Sequence, residues 1–172
     1  MTGLDQLIPT LKNKAEIVVL FLCAGNIVRS PIAEMLLELE LEKRFGKTRI
    51  KVISGGTTYF NDRIMDITKD LLITSGVPPE RILKFYPRNI RQYPELLEQA
   101  DIIIGMESTH VRLLPKQYRS KSFMISELAA GEKRNIPDPW GDELSVYQEA
   151  FETIKEYITK LVDKFEEWQL IP

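Results

Sequence analysis

The sequence predicts a single α/β domain with a four-stranded parallel sheet and helices on both of its faces. Four short apolar runs, rich in β-branched residues, alternate with segments that repeat apolar residues at helical spacing. The runs are continuous rather than alternating, which is typical of strands buried on both faces of a parallel sheet. A chain of 172 residues also suits one domain with a sizeable core.

The individual elements follow from these patterns in chain order. The apolar runs predict strands over 17–22, 49–53, 101–106 and 122–125. Helical spacing predicts helices over 31–45, 64–75, 94–99 and 108–114, and then a long final helix with core-facing apolar residues from Val146 to Trp168. We expect residues 1–15 to be an N-terminal extension with a short helix over 4–11, and residues 16–172 to form the domain.

The composition excludes several classes of function. The 23 Lys and Arg residues almost balance the 25 Asp and Glu residues, so nothing favours nucleic-acid binding. No apolar run approaches the length of a membrane span, and the first residues lack the layout of a signal peptide, so we expect no membrane partner. A single cysteine permits no internal disulfide and fits a reducing, cytoplasmic compartment. We expect the protein to be a monomer.

Metal chemistry has little support in the sequence. His110 is the only histidine, and the residues around it include no cysteine that would complete a ligand set. We interpret His110 as a surface residue of the helix over 108–114, and we expect neither a metal nor a cofactor.

Cys23 directly follows the first predicted strand and begins a loop suited to phosphate chemistry. Arg29 lies six positions further on, and Ser30 with Pro31 predicts a helix start, with serine at the N-cap and proline at the first helical position. The loop amides and the positive end of that helix would bind a dianion next to the thiol. This layout argues against an inert core cysteine. The predicted phosphate-binding residues are Ala24, Gly25, Asn26, Ile27, Val28 and Ser30.

A thiol that attacks phosphorus and expels an alcohol needs a proton for the leaving oxygen, and a second segment offers one. Asp138 lies between Pro137 and Pro139, and these prolines restrict the backbone that carries the carboxyl group. An ordinary proline-rich turn is an equal interpretation of this segment alone. Together with the Cys23 loop, it predicts a general acid.

These two segments resemble a known family. The stretch 21–31 (FLCAGNIVRSP) and the stretch 138–140 (DPW) are similar to the signature loop and acid loop of the low-molecular-weight protein tyrosine phosphatases. The resemblance extends over about 16–165 and includes 52–57 and 100–107. It implies a four-stranded parallel sheet with helices on both sides, in agreement with the strand count above.

The resemblance also implies roles for the site residues. Cys23 would attack phosphorus as a thiolate, Arg29 would hold two phosphoryl oxygens, and Asp138 would protonate the leaving group and later activate water. Ser30 would donate to the sulfur, and Asn26 would hold the loop with Ser54 as its partner. An ordinary strand-end serine is an equal alternative for Ser54. Gly25 would supply a conformation that side chains disfavour.

Two positions depart from the family pattern. Val28 occupies the position at which many members have a second cysteine that pairs with the nucleophile. Several relatives also have a histidine that supports the loop asparagine, and the corresponding stretch 85–89 has none. The support of Asn26 is therefore in doubt.

The expected substrate is a tyrosine-phosphorylated protein or a small aryl phosphate. Tyr59, Phe60 and Trp140 are candidate pocket walls for a phenyl ring, with ordinary partial core packing as the alternative. Relatives that hydrolyse phosphoarginine tend to have threonine where this chain has Ile27, so phosphoarginine is the second candidate substrate. Arsenate reductases need further cysteines, and a non-catalytic phosphate-binding protein would not need Cys23 and Asp138 together.

Overall fold

The computed structural model describes residues 3–172 and contains the predicted parallel sheet. Its four strands lie in the order β2–β1–β3–β4. They are β1 (Ile17–Cys23), β2 (Ile50–Gly56), β3 (Ile102–Gly105) and β4 (Ser122–Met124). All seven residues of β1 are buried, as its continuous apolar sequence predicts. The fold class is confirmed.

Eight α-helices surround the sheet within the described residues. In chain order they are α1 (Gly3–Lys12), α2 (Arg29–Phe45), α3 (Asp66–Thr74), α4 (Pro79–Leu83), α5 (Glu95–Gln99), α6 (Ser108–Arg112), α7 (Ile125–Ala130) and α8 (Leu144–Glu167). A 3₁₀ segment over Lys116–Lys121 precedes β4. The sequence patterns miss α4, which begins at a pair of prolines typical of a turn, and α7, whose first residue Ile125 belongs to the apolar run that predicts the fourth strand.

Successive β1 side chains point to opposite faces of the sheet and divide the core in two. Val19 and Phe21 join the larger cluster, which includes apolar residues of α2 and α8, whereas Leu20 and Leu22 join the smaller one. The predicted stripe of α8 is buried from Tyr147 to Phe165, whereas Val146 is exposed in the first turn and Trp168 is the partly buried C-cap residue. Leu11 of α1 also belongs to the larger cluster, so the described part of the extension packs onto the domain.

Parallel strands bring their carboxyl ends to one edge of the sheet. Cys23 ends β1, opposite Gly56 of β2, and Leu22 pairs with Gly105 of β3. The segments that leave this edge after β1, β2 and β3 therefore surround one location, which is where ligands bind in open α/β sheets.

Candidate active site

The loop after β1 returns directly into α2, but the helix begins earlier than the sequence predicts. α2 starts at Arg29, and Val28 occupies the N-cap position without a side-chain capping bond. The prediction of Ser30 as the N-cap is therefore wrong. The Ser30 hydroxyl lies instead 2.9 Å from the Cys23 sulfur. Because Ser30 lies within the first turn of α2, its hydroxyl faces the thiol.

Cys23 is free, buried and surrounded by donors. The Ser30 backbone N–H donates to the Cys23 sulfur at 3.4 Å, in addition to the hydroxyl contact. Both contacts stabilise negative charge on sulfur, and so does the N-terminus of α2. The environment of the thiol suits a nucleophile.

Asn26 holds the loop through both ends of its amide. Its Nδ2 donates to the Ser30 hydroxyl at 2.8 Å and to the Ser54 hydroxyl at 2.9 Å, so the contact expected between Asn26 and Ser54 is present. Its Oδ1 accepts the backbone N–H of Arg88 at 3.0 Å. That amide of Arg88 supplies a support for which the sequence offers no histidine.

The residue with the unusual backbone is Asn26 rather than Gly25. Asn26 has a φ of 57°, in the left-handed region, whereas Gly25 is absent from the described residues with positive φ. The expectation for Gly25 is therefore wrong. Glycine at this position instead leaves room for a neighbouring side chain. A Cβ on Gly25 would lie 2.9 Å from Nδ2 of Asn61, which donates to the Gly25 carbonyl at 3.0 Å.

Arg29 is fully buried and held by groups from two other segments. Its Nη1 donates to Glu107 Oε1 at 2.6 Å and to the carbonyl of Ile136 at 2.8 Å. Its Nη2 lies 3.5 Å from Oδ2 of Asp138. The structure thus brings Arg29 and Asp138 together although they are far apart in the chain.

Glu107 is a site residue that the sequence reasoning missed. A usable signal was present, since Glu107 follows β3 much as the Cys23 loop follows β1, at the same edge of the sheet. A carboxylate at that position lies close enough to the guanidinium of Arg29 to form an ion pair.

Asp138 lies on a loop that is anchored just before it. Ile136 is buried, and its N–H donates to the carbonyl of Met106 at 3.0 Å. The Asp138 side chain remains 40% exposed, and its Oδ1 accepts the N–H of Trp140 at 3.1 Å. The carboxyl group is therefore placed at the pocket while staying open to water and substrate.

A pocket of about 400 Å³ contains the predicted centre. Its walls are formed by Cys23, Gly25, Ile27, Val28, Arg29, Tyr59, Phe60, Asn61, Asp138 and Trp140. Tyr59, Phe60 and Trp140 are 61%, 54% and 66% exposed, so these rings stand at the mouth of the pocket and not in the core. Asn61 is an additional wall residue that the sequence did not suggest.

The other predicted loop residues lie behind this pocket. Asn26, Ser30 and Ser54 are buried beneath the loop, where they make the contacts described above. The Ala24 carbonyl accepts the N–H groups of Thr58 and Tyr59 at 3.0 Å each, which ties the loop to the segment after β2.

His110 is not the surface residue that the sequence suggests. It is only 4% exposed, and its Nδ1 accepts the backbone N–H of Glu107 at 3.0 Å. α6 packs against β3, so its third residue faces inward and closes a capping box with Glu107. Burial, together with the positive charge of Arg29, lowers the pKa of His110 to about 3, and the imidazole is neutral at pH 7.

The described residues also offer neither a membrane span nor a cluster of metal ligands. Within residues 3–172, no helix is both long and apolar enough to span a membrane. In the same part of the chain, no cluster of at least three histidine, cysteine or acidic side chains is arranged to hold a metal ion.

The site combines a cysteine at the end of a strand with a buried arginine and a nearby aspartate. This combination defines a cysteine-dependent phosphatase. The model of the low molecular weight phosphotyrosine protein phosphatase family matches residues 18–169. The chain therefore belongs to that family. Its known relatives differ in the substrates they are named for.

Three relatives illustrate the range of the family. A protein-arginine-phosphatase of Bacillus subtilis is 25% identical over 147 residues, which cover 83% of this chain and 93% of that protein. The low molecular weight protein-tyrosine-phosphatase PtpA of Staphylococcus epidermidis is 28% identical over 150 residues, 84% of this chain and 91% of that protein. The crystal structure of a low molecular weight protein tyrosine phosphatase from T. tengcongensis superposes with a TM-score of 0.74 at 28% identity, covering 87% of this chain and 99% of that one.

Proposed function

We propose that this phosphatase hydrolyses phosphotyrosine in proteins, and small aryl phosphates, through a phosphocysteine intermediate. The observation that carries the proposal is the pocket mouth, where the exposed rings of Tyr59, Phe60 and Trp140 stand above Cys23 and Arg29. A phenyl ring bound there would stack against aromatic walls while its phosphate reaches the floor. The aromatic residues at the mouth and the thiol in the same pocket suit an aryl ester.

The proposed reaction has two displacements at phosphorus. The Cys23 thiolate forms the S–P bond as the bond from phosphorus to the phenol oxygen breaks, and Asp138 gives its proton to that oxygen. Water then attacks the phosphocysteine, Asp138 accepts a proton from it, and the S–P bond breaks to release inorganic phosphate. The Ser30 hydroxyl donates to the departing sulfur, from its position 2.9 Å away.

Arg29 serves both steps by holding the phosphoryl oxygens. Its contacts with Glu107 and the Ile136 carbonyl fix the guanidinium plane before the substrate arrives. A planar fork of N–H donors matches the transferring phosphoryl group in a way that a lysine ammonium does not.

Phosphoarginine is the alternative substrate. It is considered because one relative is named as a protein-arginine-phosphatase and another as a protein-tyrosine-phosphatase. Asp138 is the one carboxylate among the described residues that line the pocket, and the proposed mechanism already uses it as the acid. Hydrolysis of phosphoarginine releases a guanidinium group, which a further hydrogen-bond acceptor or anion would stabilise. Ile27 is apolar and provides neither. These features favour an aryl phosphate over phosphoarginine.

An arsenate reductase is disfavoured because its disulfide relay needs more than the single cysteine of this chain. A phosphate-binding protein without catalysis is disfavoured because Cys23, Arg29 and Asp138 converge on one pocket. The free thiol at the centre of the mechanism suits a reducing, cytoplasmic setting, which we include in the proposal.

The decisive experiment compares one peptide carrying phosphotyrosine, phosphoarginine or phosphoserine, with the full-length protein and no added metal. We expect kcat/KM for phosphotyrosine to exceed the others by about 100-fold, since only its ring reaches the aromatic walls while its phosphate contacts Cys23. Asp138→Asn should lower kcat by about 100-fold or more. Asp142→Asn, a carboxylate on the same loop outside the pocket walls, should have no effect.

Two results would contradict the proposal. A higher kcat/KM for the phosphoarginine peptide would assign the alternative substrate. Equal rates for wild type and Asp138→Asn would remove Asp138 from the reaction. Ile27→Thr tests the second candidate directly, because it is expected to raise the relative rate on phosphoarginine.

A further inference from the structure

A second cavity, of about 660 Å³, adjoins the pocket, and we call it the side groove. Arg29, Tyr59 and Asp138 line both cavities, so the two share one side. The further walls of the side groove include Ile90, Leu97, His110, Leu113 and Leu114. A polypeptide that places a phosphorylated residue in the pocket therefore has the side groove directly beside it.

Much of the side groove is apolar. Leu97 and Leu114 are 5% and 3% exposed and form its floor, whereas Leu113 is 77% exposed and stands at its rim. Leu113 is the C-cap residue of α6, and its side chain extends into solvent instead of the core. An apolar side chain bound between this rim and the floor would be removed from water on several sides.

His110 adds one polar group to this surface. Its Nδ1 accepts the Glu107 N–H, so the neutral ring carries its proton on Nε2. Among the described residues, Nε2 has no hydrogen-bond partner. No fully buried side-chain nitrogen lacks a partner in the same part of the chain, so Nε2 is open to the side groove that His110 lines. A side chain that is only 4% exposed thus directs a free donor into the groove.

An extended peptide matches both features of the side groove. Side chains and backbone carbonyl groups recur at short intervals along such a peptide. A segment that leaves the pocket can therefore place an apolar side chain against Leu113 and a carbonyl oxygen at Nε2 of His110. A small aryl phosphate has no such segment and gains nothing from the groove.

We propose that the side groove binds the part of a phosphoprotein substrate next to the phosphorylated residue, and that Leu113 selects a bulky apolar side chain there. The proposal rests on the phosphatase function above and adds the substrate chemistry that the enzyme prefers. Leu113 is then a specificity-determining residue that has no part in the displacement at phosphorus.

The experiment measures kcat/KM of the full-length protein for a set of phosphotyrosine peptides. Each peptide carries a single leucine, placed within about three residues of the phosphotyrosine, which is a span of about 10 Å in an extended chain. The other flanking residues are alanine, and the peptide with alanine throughout is the reference. We expect leucine on one side of the phosphotyrosine to raise kcat/KM by about tenfold, because it buries apolar surface against Leu113.

Leu113→Asn should reduce this preference to less than about threefold. The side chain is 77% exposed, so an amide of similar size is compatible with the fold. The preference is a ratio of two rates for the same protein, and a change in the catalytic step that all peptides share cancels from it.

Leu83→Asn is the matched control. Leu83 ends α4, is also 77% exposed and lines neither the pocket nor the side groove. We expect this variant to keep the tenfold preference of the wild type, since a general loss of surface leucine has no reason to affect one peptide position.

Three outcomes would overturn the proposal. Wild type might not distinguish the peptides at all, or the preference might be the same in wild type and Leu113→Asn. A dimer that dissociates in Leu113→Asn, measured by sedimentation, would assign the side groove to a second copy of the chain instead.

Failure of the phosphotyrosine assignment gives a different result. All phosphotyrosine peptides would then react slowly, and the same set with phosphoarginine in place of phosphotyrosine yields the ratio. A leucine preference that Leu113→Asn removes supports the proposal with either phosphorylated residue, and equal rates contradict it with either.

Discussion

Arg29 and Glu107 form an ion pair at the floor of the pocket, with Nη1 and Oε1 2.6 Å apart. The arginine side chain is 2% exposed and the glutamate 24%, so the pair is largely shielded from water. His110 accepts the backbone N–H of Glu107 and keeps that residue in place. The guanidinium is thus oriented by the carboxylate of a residue whose backbone N–H is bound by a buried imidazole.

We expect Glu107→Gln to weaken phosphate binding. The amide keeps the shape of the side chain but removes the charge that orients Arg29, so the Ki for inorganic phosphate and the KM for aryl phosphates should rise about fivefold to tenfold. Competitive inhibition by phosphate measures the effect. Glu40→Gln, in a surface pair with Arg44, is the control and should leave both constants unchanged. An unchanged Ki in Glu107→Gln would mean that Arg29 is oriented without Glu107.

His110 should make stability dependent on pH in a defined range. Burial lowers its pKa to about 3 in the folded protein from the usual value of 6.5, so between these values the unfolded chain binds a proton that the folded chain does not. The free energy of unfolding is therefore expected to fall as pH decreases below about 7, with a contribution from His110 of up to about 1.4 kcal/mol per pH unit.

Urea titrations of wild type and His110→Gln from pH 4.5 to 7.5 isolate this contribution. Glutamine at the same helix position can still accept the Glu107 N–H but has no proton to gain. The variant should show the weaker dependence on pH. Parallel curves for the two proteins would show that the proton of His110 is not linked to folding.

Gly56→Ala is expected to displace the loop that begins at Cys23. A Cβ at this position would lie 3.0 Å from the carbonyl oxygen of Ala24 and 3.2 Å from the carbonyl carbon of Gly25, both of them backbone atoms. We expect a loss of kcat/KM of about tenfold and a loss of stability of about 1–3 kcal/mol. Gly3→Ala, whose Cβ would make an ordinary 3.6 Å contact, is the control. Full activity in Gly56→Ala would mean that the loop shifts without consequence.

Peroxide should inactivate the protein by a route that a thiol reductant cannot fully reverse. Cys23 is the single cysteine, so sulfenic acid formed on it has no internal thiol to capture it and proceeds to sulfinic and sulfonic acids. Mass spectrometry of Cys23 after excess peroxide follows these oxidation states. Full recovery of the thiol on addition of dithiothreitol would contradict the prediction. Val28→Cys is the comparison, and we expect its activity to return on reduction.

The sequence was most informative where residues act through local patterns. The strands, the long helices and the Cys23 loop are encoded by runs of adjacent residues, and the structure contains them with shifts of a few positions at their ends. Helix α7 was missed because the apolar run that predicts the fourth strand extends into its first residue, and α4 because it begins at a pair of prolines typical of a turn.

The site residues that sequence reasoning missed all act across long distances in the chain. Glu107 contacts Arg29 from 78 positions away, and Asn61 contacts Gly25 from 36 positions away. Burial of His110 likewise results from the packing of α6 on β3, which no local pattern describes. Such contacts become visible only when the topology has brought the elements together.

Because Cys23 lies at the end of a buried inner strand, the floor and the mouth of the pocket differ in how well they tolerate substitution. The floor of the pocket lies at the end of β1, whose residues are all buried, whereas Tyr59, Phe60 and Trp140 are exposed on connecting segments. Substitutions at the mouth can therefore change which phosphorylated molecule is accepted at little cost to folding. New specificities should evolve, or be engineered, from the rim inward.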